Sequence, residues 1–309
     1  MSVLALSGGI GGAKLALGLY RVLPPGKLTV VANTGDDFEH LGLSISPDID
    51  TLLYTLAGID NPELGWGRRN ETWTFMTALG ALGGDTWFKL GDGDLATHVE
   101  RTRRLAAGET LSQITDDFRR RLGISARLLP MSDDSVRTCP RTPEGWLDFQ
   151  NYFVRLRASP VVREIAYAGA SEARANPDFL AALADDLELV VICPSNPFLS
   201  IDPIFSLPGV RDALRACRAP VVAVSPIIGG KAVKGPTAKI MAELGLPVGA
   251  AAVARHYEDI LDVFIAEESD ASEVEDLGIP VRLARTLMST IEDREALARA
   301  VLAVAPRGV

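Results

Sequence analysis

Apolar runs and helical repeats alternate along most of this chain. Short apolar runs predict buried strands at residues 3–6, 28–32, 188–193, 220–225 and 262–266. Between them, apolar residues recur at the three- and four-residue spacing of helices that bury one face. Strands alternating with helices are typical of a parallel sheet covered on both sides. The pattern therefore predicts an α/β fold, with a doubly wound, mainly parallel sheet and a Rossmann-like core.

The pattern changes between about residues 70 and 180. Helical patterns at 71–81, 94–106 and 109–122 precede a stretch that is interrupted by prolines and charges. We interpret 70–180 as an inserted, largely helical cap region within a single α/β domain that spans 1–309. A small antiparallel element is predicted inside it, with its turn at Pro143–Gly145.

Composition limits the classes of function. The chain has 309 residues, 47% of them hydrophobic, and a formal net charge of -9, so no broad basic surface is available for nucleic acid or an anionic membrane. Its cysteines, Cys139, Cys193 and Cys217, form no C-x-x-C pair and are interpreted as structural thiols of a reducing compartment. No basic leader and no uncharged apolar run of about 18 residues is present, so we expect a cytoplasmic protein.

A glycine loop, SGGIGGAK, follows the first predicted strand at residues 7–14 and leads into a helix. The first amides of a helix lack partners within it, and glycine lets a ligand approach the backbone, so the loop suits a phosphate. The simpler alternative is a tight turn between strand and helix. The candidate phosphate-binding residues of this loop are Gly8, Gly9, Gly11, Gly12 and Lys14.

Two familiar phosphate loops do not fit these residues. A P-loop counted from Gly8 requires glycine where Ala13 stands and a hydroxyl where Leu15 stands. The dinucleotide fingerprint would need its third glycine at Lys14, and the second predicted strand ends at Asn33 rather than at an acid. Neither an ATPase of the P-loop type nor a conventional NAD site is therefore expected.

Acidic residues follow the second predicted strand. Asp36 and Asp37 end the stretch NTGDD, and Asp48 and Asp50 precede a helical pattern in SPDID. Four carboxylates near a phosphate would repel it unless a divalent cation intervened, and oxygen ligands suit Mg²⁺. The alternative is that Asp48 or Asp50 caps the following helix.

Two further strand-end loops carry polar residues. Ser195 and Asn196 lie in the loop after the strand at 188–193 and are candidates for recognising a base or a ribose. The loop after the strand at 220–225 is a candidate diphosphate site, with Gly229, Gly230, Lys231 and Lys234. Both loops are equally consistent with ordinary surface turns.

The stretch WFKLGDGDLATH, residues 87–98, combines aromatic rings, a cation and acids, and could hold a flat aromatic substrate. Taken alone, Asp94 is interpreted as a helix cap and His98 as a satisfied, half-buried histidine. His40 and His256 have no metal-ligand spacing with His98, so no zinc site is predicted.

Taken in order, these stretches resemble the 2-phospho-L-lactate transferase family of coenzyme F420 biosynthesis. The resemblance covers about residues 1–270 and rests on SGGIGGAK, NTGDD, SPDIDTLLYTLAGI, GWGRRNETW, WFKLGDGDLATH, LLPMSDD, FQNYFVR, PSNPFLSIDPI and SPIIGGKAVKGPT. It implies an enzyme that takes the deazaflavin Fo and the guanosine diphosphate ester of a phospho-acid. The phospho-acid is phospholactate, phosphoenolpyruvate or 3-phosphoglycerate; it is transferred to the ribityl hydroxyl of Fo, and GMP is released.

The resemblance also implies roles for single residues. Asp50 and Lys89 would contact the deazaflavin, and Asp36 would be a Mg²⁺ ligand. The resemblance leaves open whether Asp50 contacts the Mg²⁺ ion, the ribityl hydroxyl of Fo, or both. Our hypothesis for the mechanism adds that either Asp36 or Asp50 accepts the hydroxyl proton. The guanosine diphosphate would lie across the glycine loop and the loops of Ser195–Asn196 and Gly229–Lys231, and a homodimer is expected. Gly93 departs from the family, which often has arginine there.

Other classes of protein remain as alternatives at this stage. The nearest is a nucleotide-sugar-binding regulatory protein of the gluconeogenesis-factor group, which SPDID and WFKLGDGDLATH disfavour. A glycosyltransferase-like enzyme with an aspartate-bound metal would explain the acids but not the ordered series of stretches. The polar strand-end loops disfavour a purely structural module.

Overall fold

Seven parallel strands form the central sheet of the protein. The computed structural model describes residues 1–63, 65–233 and 235–305, so Lys234 lies outside the described residues. The strands are β1 (Val3–Ser7), β2 (Leu28–Ala32), β3 (Phe38–His40), β4 (Leu43–Ile45), β5 (Arg127–Pro130), β6 (Arg137–Thr142), β7 (Gly145–Trp146), β8 (Glu164–Ala168), β9 (Leu189–Ile192), β10 (Val221–Val224), β11 (Ile227–Ile228), β12 (Lys231–Ala232), β13 (Val263–Ala266) and β14 (Val281–Leu283).

Helices cover the sheet. They are α1 (Gly9–Val22), α2 (Pro47–Leu56), α3 (Thr74–Ala81), α4 (Asp92–Ala106), α5 (Leu111–Arg121), α6 (Pro177–Ala184), α7 (Asp202–Phe205), α8 (Val210–Ala216), α9 (Thr237–Glu243), α10 (Ala250–His256), α11 (Ala271–Val274) and α12 (Ile291–Leu302). Two π-helical segments, Asn151–Arg155 and Pro197–Ile201, and one 3₁₀ turn, Glu268–Asp270, complete the regular structure of the described residues.

The strand order of the sheet is β14-β13-β10-β9-β1-β2-β5, with parallel pairing throughout. The predicted strands are confirmed as β1, β2, β9, β10 and β13, and so is the doubly wound α/β class. From β1 the chain adds β2 on one side and, later, β9 on the other. The switch point of the sheet therefore lies between β1 and β9, where open α/β sheets bind their ligands.

Alternate residues of β1 are buried in two different cores. Val3 and Ala5 pack in the core formed with α1, α2 and α12, whereas Leu4 and Leu6 pack in the core formed with α6, α8 and α10. Because both faces of the strand are covered, it consists of apolar residues without alternation, which is why the sequence pattern was so clear.

The region 70–180 contains the predicted helices as α3, α4 and α5, and the predicted antiparallel element as the hairpin of β6 and β7, which turns at Pro143–Glu144. On its other side, β6 pairs with β8. Two strands of this region, β5 and β8, were missed. β5 lies beside β2 at the edge of the main sheet, so it divides the predicted cap region into two segments. The edge strand β14 was missed as well, because it is only three residues long and mostly exposed.

No helix among the described residues is both long and apolar enough to cross a membrane. The three cysteines are free thiols, and Cys193 is buried at the end of β9.

Candidate active site

A cleft of about 810 Å³ lies at the carboxyl edge of the sheet. The loops after β1, β2, β9 and β10 contribute to it, together with side chains from α2 and α4. It brings together most of the predicted site residues, namely Gly8, Gly9, Gly11, Lys14, Asp36, Asp50, Lys89, Ser195 and Asn196. The convergence of separate strand-end loops, which the sequence could only suggest, is therefore present in the fold.

Gly11 and Gly12 let the glycine loop pack directly against the loop after β9. A Cβ atom at Gly11 would lie 2.3 Å from the carbonyl oxygen of Pro194. A Cβ at Gly12 would lie 2.4 Å from Ser7 Oγ and 2.5 Å from Ser195 Oγ. Gly12 lies outside the lining of the cleft, so its lack of a side chain is explained by packing rather than by contact with a ligand.

The structure places Gly229, Gly230 and Lys231 outside the cleft lining as well. Gly229 and Gly230 have φ angles of +57° and +70° and join β11 to β12. Positive φ at both central residues is the signature of a type I′ hairpin turn, which explains the two glycines. Lys231 is exposed at the start of β12, and its contact with a diphosphate stays a prediction.

Asp48 holds the glycine loop. Its Oδ1 accepts a 2.6 Å hydrogen bond from the amide of Gly9, and its Oδ2 accepts a 2.9 Å bond from Asn33 Nδ2. The N-cap residue of α2 is Ser46, whose side chain makes no capping bond. The capping alternative therefore does not describe Asp48, which joins the loops after β1 and β2.

Buried carboxylates crowd this part of the cleft. Burial, together with the charge of Asp48, raises the pKa of Asp36 well above its usual value. Burial raises the pKa of Asp37 to about 7, although Ser46 Oγ donates a 2.7 Å hydrogen bond to it, and raises that of Asp48 to about 6. Asp36 Oδ1 has no hydrogen-bond partner among the described residues. Such a group is suited to a cation or to a donor on a ligand.

Asp50 is in a different environment because it forms a buried ion pair with Arg101. Arg101 Nη2 donates to Asp50 Oδ1, and Arg101 Nη1 donates to Asp50 Oδ2 at 3.1 Å. The arginine is 1% exposed. Sequence reasoning missed it, since an arginine in a helix rich in charges is usually solvated. Its position three residues after His98 on one helix face was the only local signal.

His98 lies between two carboxylates. Its Nδ1 is 3.6 Å from Asp50 Oδ2 and its Nε2 is 3.3 Å from Asp94 Oδ2, while Tyr54 donates a 2.6 Å hydrogen bond to Asp94 Oδ1. Burial raises the pKa of Asp94, but the contacts with His98 and Tyr54 outweigh it and hold that pKa below its usual value. The N-cap of α4 is Gly91, not Asp94. The interpretation of His98 as a satisfied, half-buried histidine is wrong: His98 is fully buried and lines the cleft, and its Nε2 makes no hydrogen bond of acceptable geometry among the described residues.

Aromatic side chains line the part of the cleft near Lys89. Trp87 and Phe88 directly precede this lysine in the chain, and Phe38 packs edge-on against Phe88 with ring centroids 4.8 Å apart. Phe153 also lines the cleft. Rings combined with a cation suit a flat conjugated ligand that carries polar edges.

Asn196 offers a donor to the cleft. Its Oδ1 accepts bonds from the amides of Phe198 and Leu199 at 3.0 and 3.1 Å, which fixes the side chain. Its Nδ2 is buried without a partner among the described residues. Ser195 Oγ instead accepts a 3.3 Å bond from the amide of Gly8. Among the described residues, both Asn196 Nδ2 and the hydroxyl proton of Ser195 therefore remain available to a ligand.

Lys14 joins the glycine loop to a distant segment. Its Nζ donates a 2.8 Å hydrogen bond to the carbonyl oxygen of Met288, and both residues line the cleft. Thr286 in the same segment is held by Glu267, whose Oε2 accepts bonds from its amide and its hydroxyl at 2.7 and 2.8 Å. The last part of the chain therefore forms one wall of the cleft, which sequence reasoning did not predict.

Fold and cleft together define a doubly wound α/β protein whose glycine loop, carboxylates and aromatic side chains meet at the switch point, an arrangement suited to phosphorylated ligands. Residues 3–292 match the family described as 2-phospho-L-lactate transferase CofD. The chain therefore belongs to the 2-phospho-L-lactate transferase family, as the ordered stretches of sequence predicted.

Curated relatives are similar over their whole length. A phosphoenolpyruvate transferase of Streptomyces griseus is 41% identical, over 99% of this chain and 98% of the relative. A 2-phospho-L-lactate transferase of Methanosarcina mazei is also 41% identical, over 97% and 99%. Among solved structures, a UPF0052 family protein from Bacillus halodurans has a TM-score of 0.65 at 16% identity, covering 97% of this chain and 99% of that one, which shows a shared fold.

Proposed function

We propose that this protein transfers a phospho-acid from its guanosine diphosphate ester to the ribityl hydroxyl of the deazaflavin Fo, releasing GMP, in the biosynthesis of coenzyme F420. The observation that carries the proposal is the meeting of the glycine loop, Asp36, Asp50 and Lys89 in one cleft of a chain that belongs to this family. The names of the relatives, phosphoenolpyruvate transferase and 2-phospho-L-lactate transferase, support the same class of transfer.

Overall sequence similarity does not indicate which phospho-acid this protein transfers. Relatives that bear the two names are equally similar to this chain, at 41% identity each. Phospholactate, phosphoenolpyruvate and 3-phosphoglycerate therefore all enter the test of the proposal.

In the proposed reaction, the ribityl oxygen forms a bond to the phosphorus that bears the acid. The bond between that phosphorus and the bridging oxygen breaks, and its electron pair leaves with GMP. The amides of Gly8 and Gly9 already donate to Ser195 and Asp48. The next amides of the first turn of α1, those of Ile10 and Gly11, would therefore stabilise the charge that develops on the diphosphate oxygens. Asp36 or Asp50 accepts the hydroxyl proton. Because phosphoryl transfer needs little covalent chemistry from the protein, positioning supplies most of the rate.

The two candidate metal ligands, Asp36 and Asp50, are not equally suited to bind a Mg²⁺ ion. Asp36 has a buried, unpartnered oxygen and a neighbouring carboxylate in Asp48, a combination that a cation would stabilise. Both oxygens of Asp50 already accept hydrogen bonds from Arg101. No group of three His, Cys, Asp or Glu within the described ranges could hold a metal by itself. Asp36 would therefore hold Mg²⁺ together with the phosphates of the substrate, where the ion neutralises charge on the diphosphate.

We also propose a cytoplasmic homodimer. The three free cysteines support a reducing compartment. The dimer rests only on the family resemblance, and light scattering of the purified protein tests it.

The proposal is tested by the mass of the product. Purified protein, Mg²⁺ and Fo are incubated with GTP, a guanylyltransferase and each of the three phospho-acids in turn. A deazaflavin adduct together with GMP in one reaction supports the transfer and identifies the acid. If the guanylylated donors form but no adduct appears with any of them, the transfer is refuted and binding of nucleotide sugars becomes the next hypothesis to test.

A further inference from the structure

Side chains from two helices, α2 and α4, form one polar network at the cleft. Helix α2 contributes Asp50 and Tyr54, four residues apart, and α4 contributes Asp94, His98 and Arg101. These spacings place each set on a single helix face. Of the five residues, Arg101 alone lies outside the cleft lining. It can therefore influence a ligand in the cleft only through the groups that it touches.

The contacts of Arg101 converge on Asp50. Both ends of its guanidinium fork donate to the carboxylate, and Nη1 also lies 3.3 Å from the carbonyl oxygen of Ser44 and 3.3 Å from His98 Nδ1. His98 therefore packs beside the guanidinium, with its Nδ1 towards Arg101 and Asp50 and its Nε2 3.3 Å from Asp94 Oδ2.

A bidentate pair fixes the plane of the carboxylate and balances its charge. Each carboxylate oxygen has about two acceptor sites, so the pair leaves sites on both oxygens of Asp50 for a ligand in the cleft. A buried carboxylate without its partner would carry an uncompensated charge and would be free to rotate.

We propose that Arg101 is the positioning residue for the deazaflavin: it holds the Asp50 carboxylate in one orientation, from which Asp50 accepts hydrogen bonds from Fo. The inference rests on the proposed function, because it names the residue that makes the Fo contact of Asp50 productive. Arg101 touches no substrate and acts only through Asp50. The donor half of the cleft, formed by the glycine loop and Asn196, is independent of it.

The test compares two ligands in Arg101→Met. We expect the Kd for Fo, followed by the intrinsic fluorescence of the deazaflavin, and the KM for Fo to rise tenfold or more. The Kd for GDP, followed by calorimetry, should stay within twofold. Arg101→Lys should recover part of the Fo affinity, because an ammonium makes a point contact rather than a planar fork. Arg103→Met, on the same helix but 63% exposed at its side chain, is the matched control and should bind Fo like the wild type.

A double-mutant cycle separates positioning from a general structural effect. In an Asp50→Asn background, Arg101→Met should weaken Fo binding by less than a further twofold, because the group that it positions has already been altered. If the Arg101→Met variant does not fold, Arg101→Gln takes its place in the double-mutant cycle.

Three results would overturn the inference. The first is an Fo affinity that falls in the double variant by the product of the two single-variant factors. The others are an unchanged Fo affinity in Arg101→Met, or affinities for Fo and GDP that fall equally in that variant. If the wild type itself binds no Fo, the proposed function fails; if the wild type binds Fo and Arg101→Met binds it equally well, only the positioning role fails.

Discussion

The amide of Gly9 donates a 2.6 Å hydrogen bond to the carboxylate of Asp48. Gly9 lies in the glycine loop and is the first residue of α1, and Asp48 lies in the first turn of α2, so the bond joins two segments 39 residues apart in the chain. The same carboxylate accepts from Asn33 after β2. One side chain thereby sets the relative position of the glycine loop and of the acidic loop that carries Asp36.

The buried carboxylates predict how stability depends on pH. The folded-state pKa of Asp37 is about 7 and that of Asp48 about 6, both above the unfolded value of 3.8. The native state therefore binds more protons than the unfolded state between about pH 4 and 7, and its stability falls as the pH rises through this window. We expect the melting temperature in metal-free buffer to be several degrees lower at pH 8 than at pH 5.5.

Asp37→Asn should reduce this dependence on pH, because it removes one of the titrating groups. Asp178→Asn, at an exposed position, is the control and should leave the slope unchanged. A melting temperature that rises between pH 5.5 and pH 8 would contradict the raised pKa values.

Asp36→Asn should lower kcat by a factor of about 100 or more, because it removes the carboxylate oxygen that is free to hold a cation or to accept a proton. The fold should persist, and its melting temperature at pH 7.5 should be equal or higher, since a buried charge has been removed. Steady-state transfer rates and thermal unfolding are the measurements. A variant that turns over Fo at the wild-type rate would exclude Asp36 from the reaction.

Lys89→Ala should raise the KM for Fo with a smaller change in kcat, because Lys89 lines the aromatic part of the cleft and lies away from the glycine loop in the chain. Fluorescence titration with Fo gives the affinity directly. Lys27→Ala, an exposed lysine before β2, is the control. Equal affinity for Fo in wild type and Lys89→Ala would remove Lys89 from the substrate contacts.

Gly11→Ala should destabilise the protein by about 2 kcal/mol or more and weaken GDP binding, because the new Cβ would lie 2.3 Å from a backbone oxygen that cannot move aside cheaply. Gly80→Ala, in the exposed part of α3, places its Cβ 3.5 Å from the nearest atom and should be neutral or slightly stabilising. Denaturant unfolding and calorimetry with GDP measure both effects. A Gly11→Ala variant as stable as the wild type would show that the two loops separate without cost.

The sequence by itself determined the doubly wound fold, the glycine loop and the family. Residues 3–6 are apolar without alternation because both faces of β1 are covered, and this information is local to the strand. The strand β14 escaped prediction because it has three residues and is mostly exposed. The strand β5 is largely buried, but it has only four residues, ends at Pro130 and lies in a stretch interrupted by prolines and charges.

The tertiary structure alone decided what the charged residues do. Asp48 and Asp50 are two residues apart in the chain, yet one binds the amide of Gly9 and the other pairs with Arg101. Capping and ligand binding were both compatible with their local sequence. The fold brings α4 close enough to α2 for Arg101 to be buried in contact with Asp50. A buried charge is stable only beside a partner, which can come from any segment that the fold places there. Local sequence records periodicity and turns, whereas the partner of a buried charge depends on contacts between distant segments.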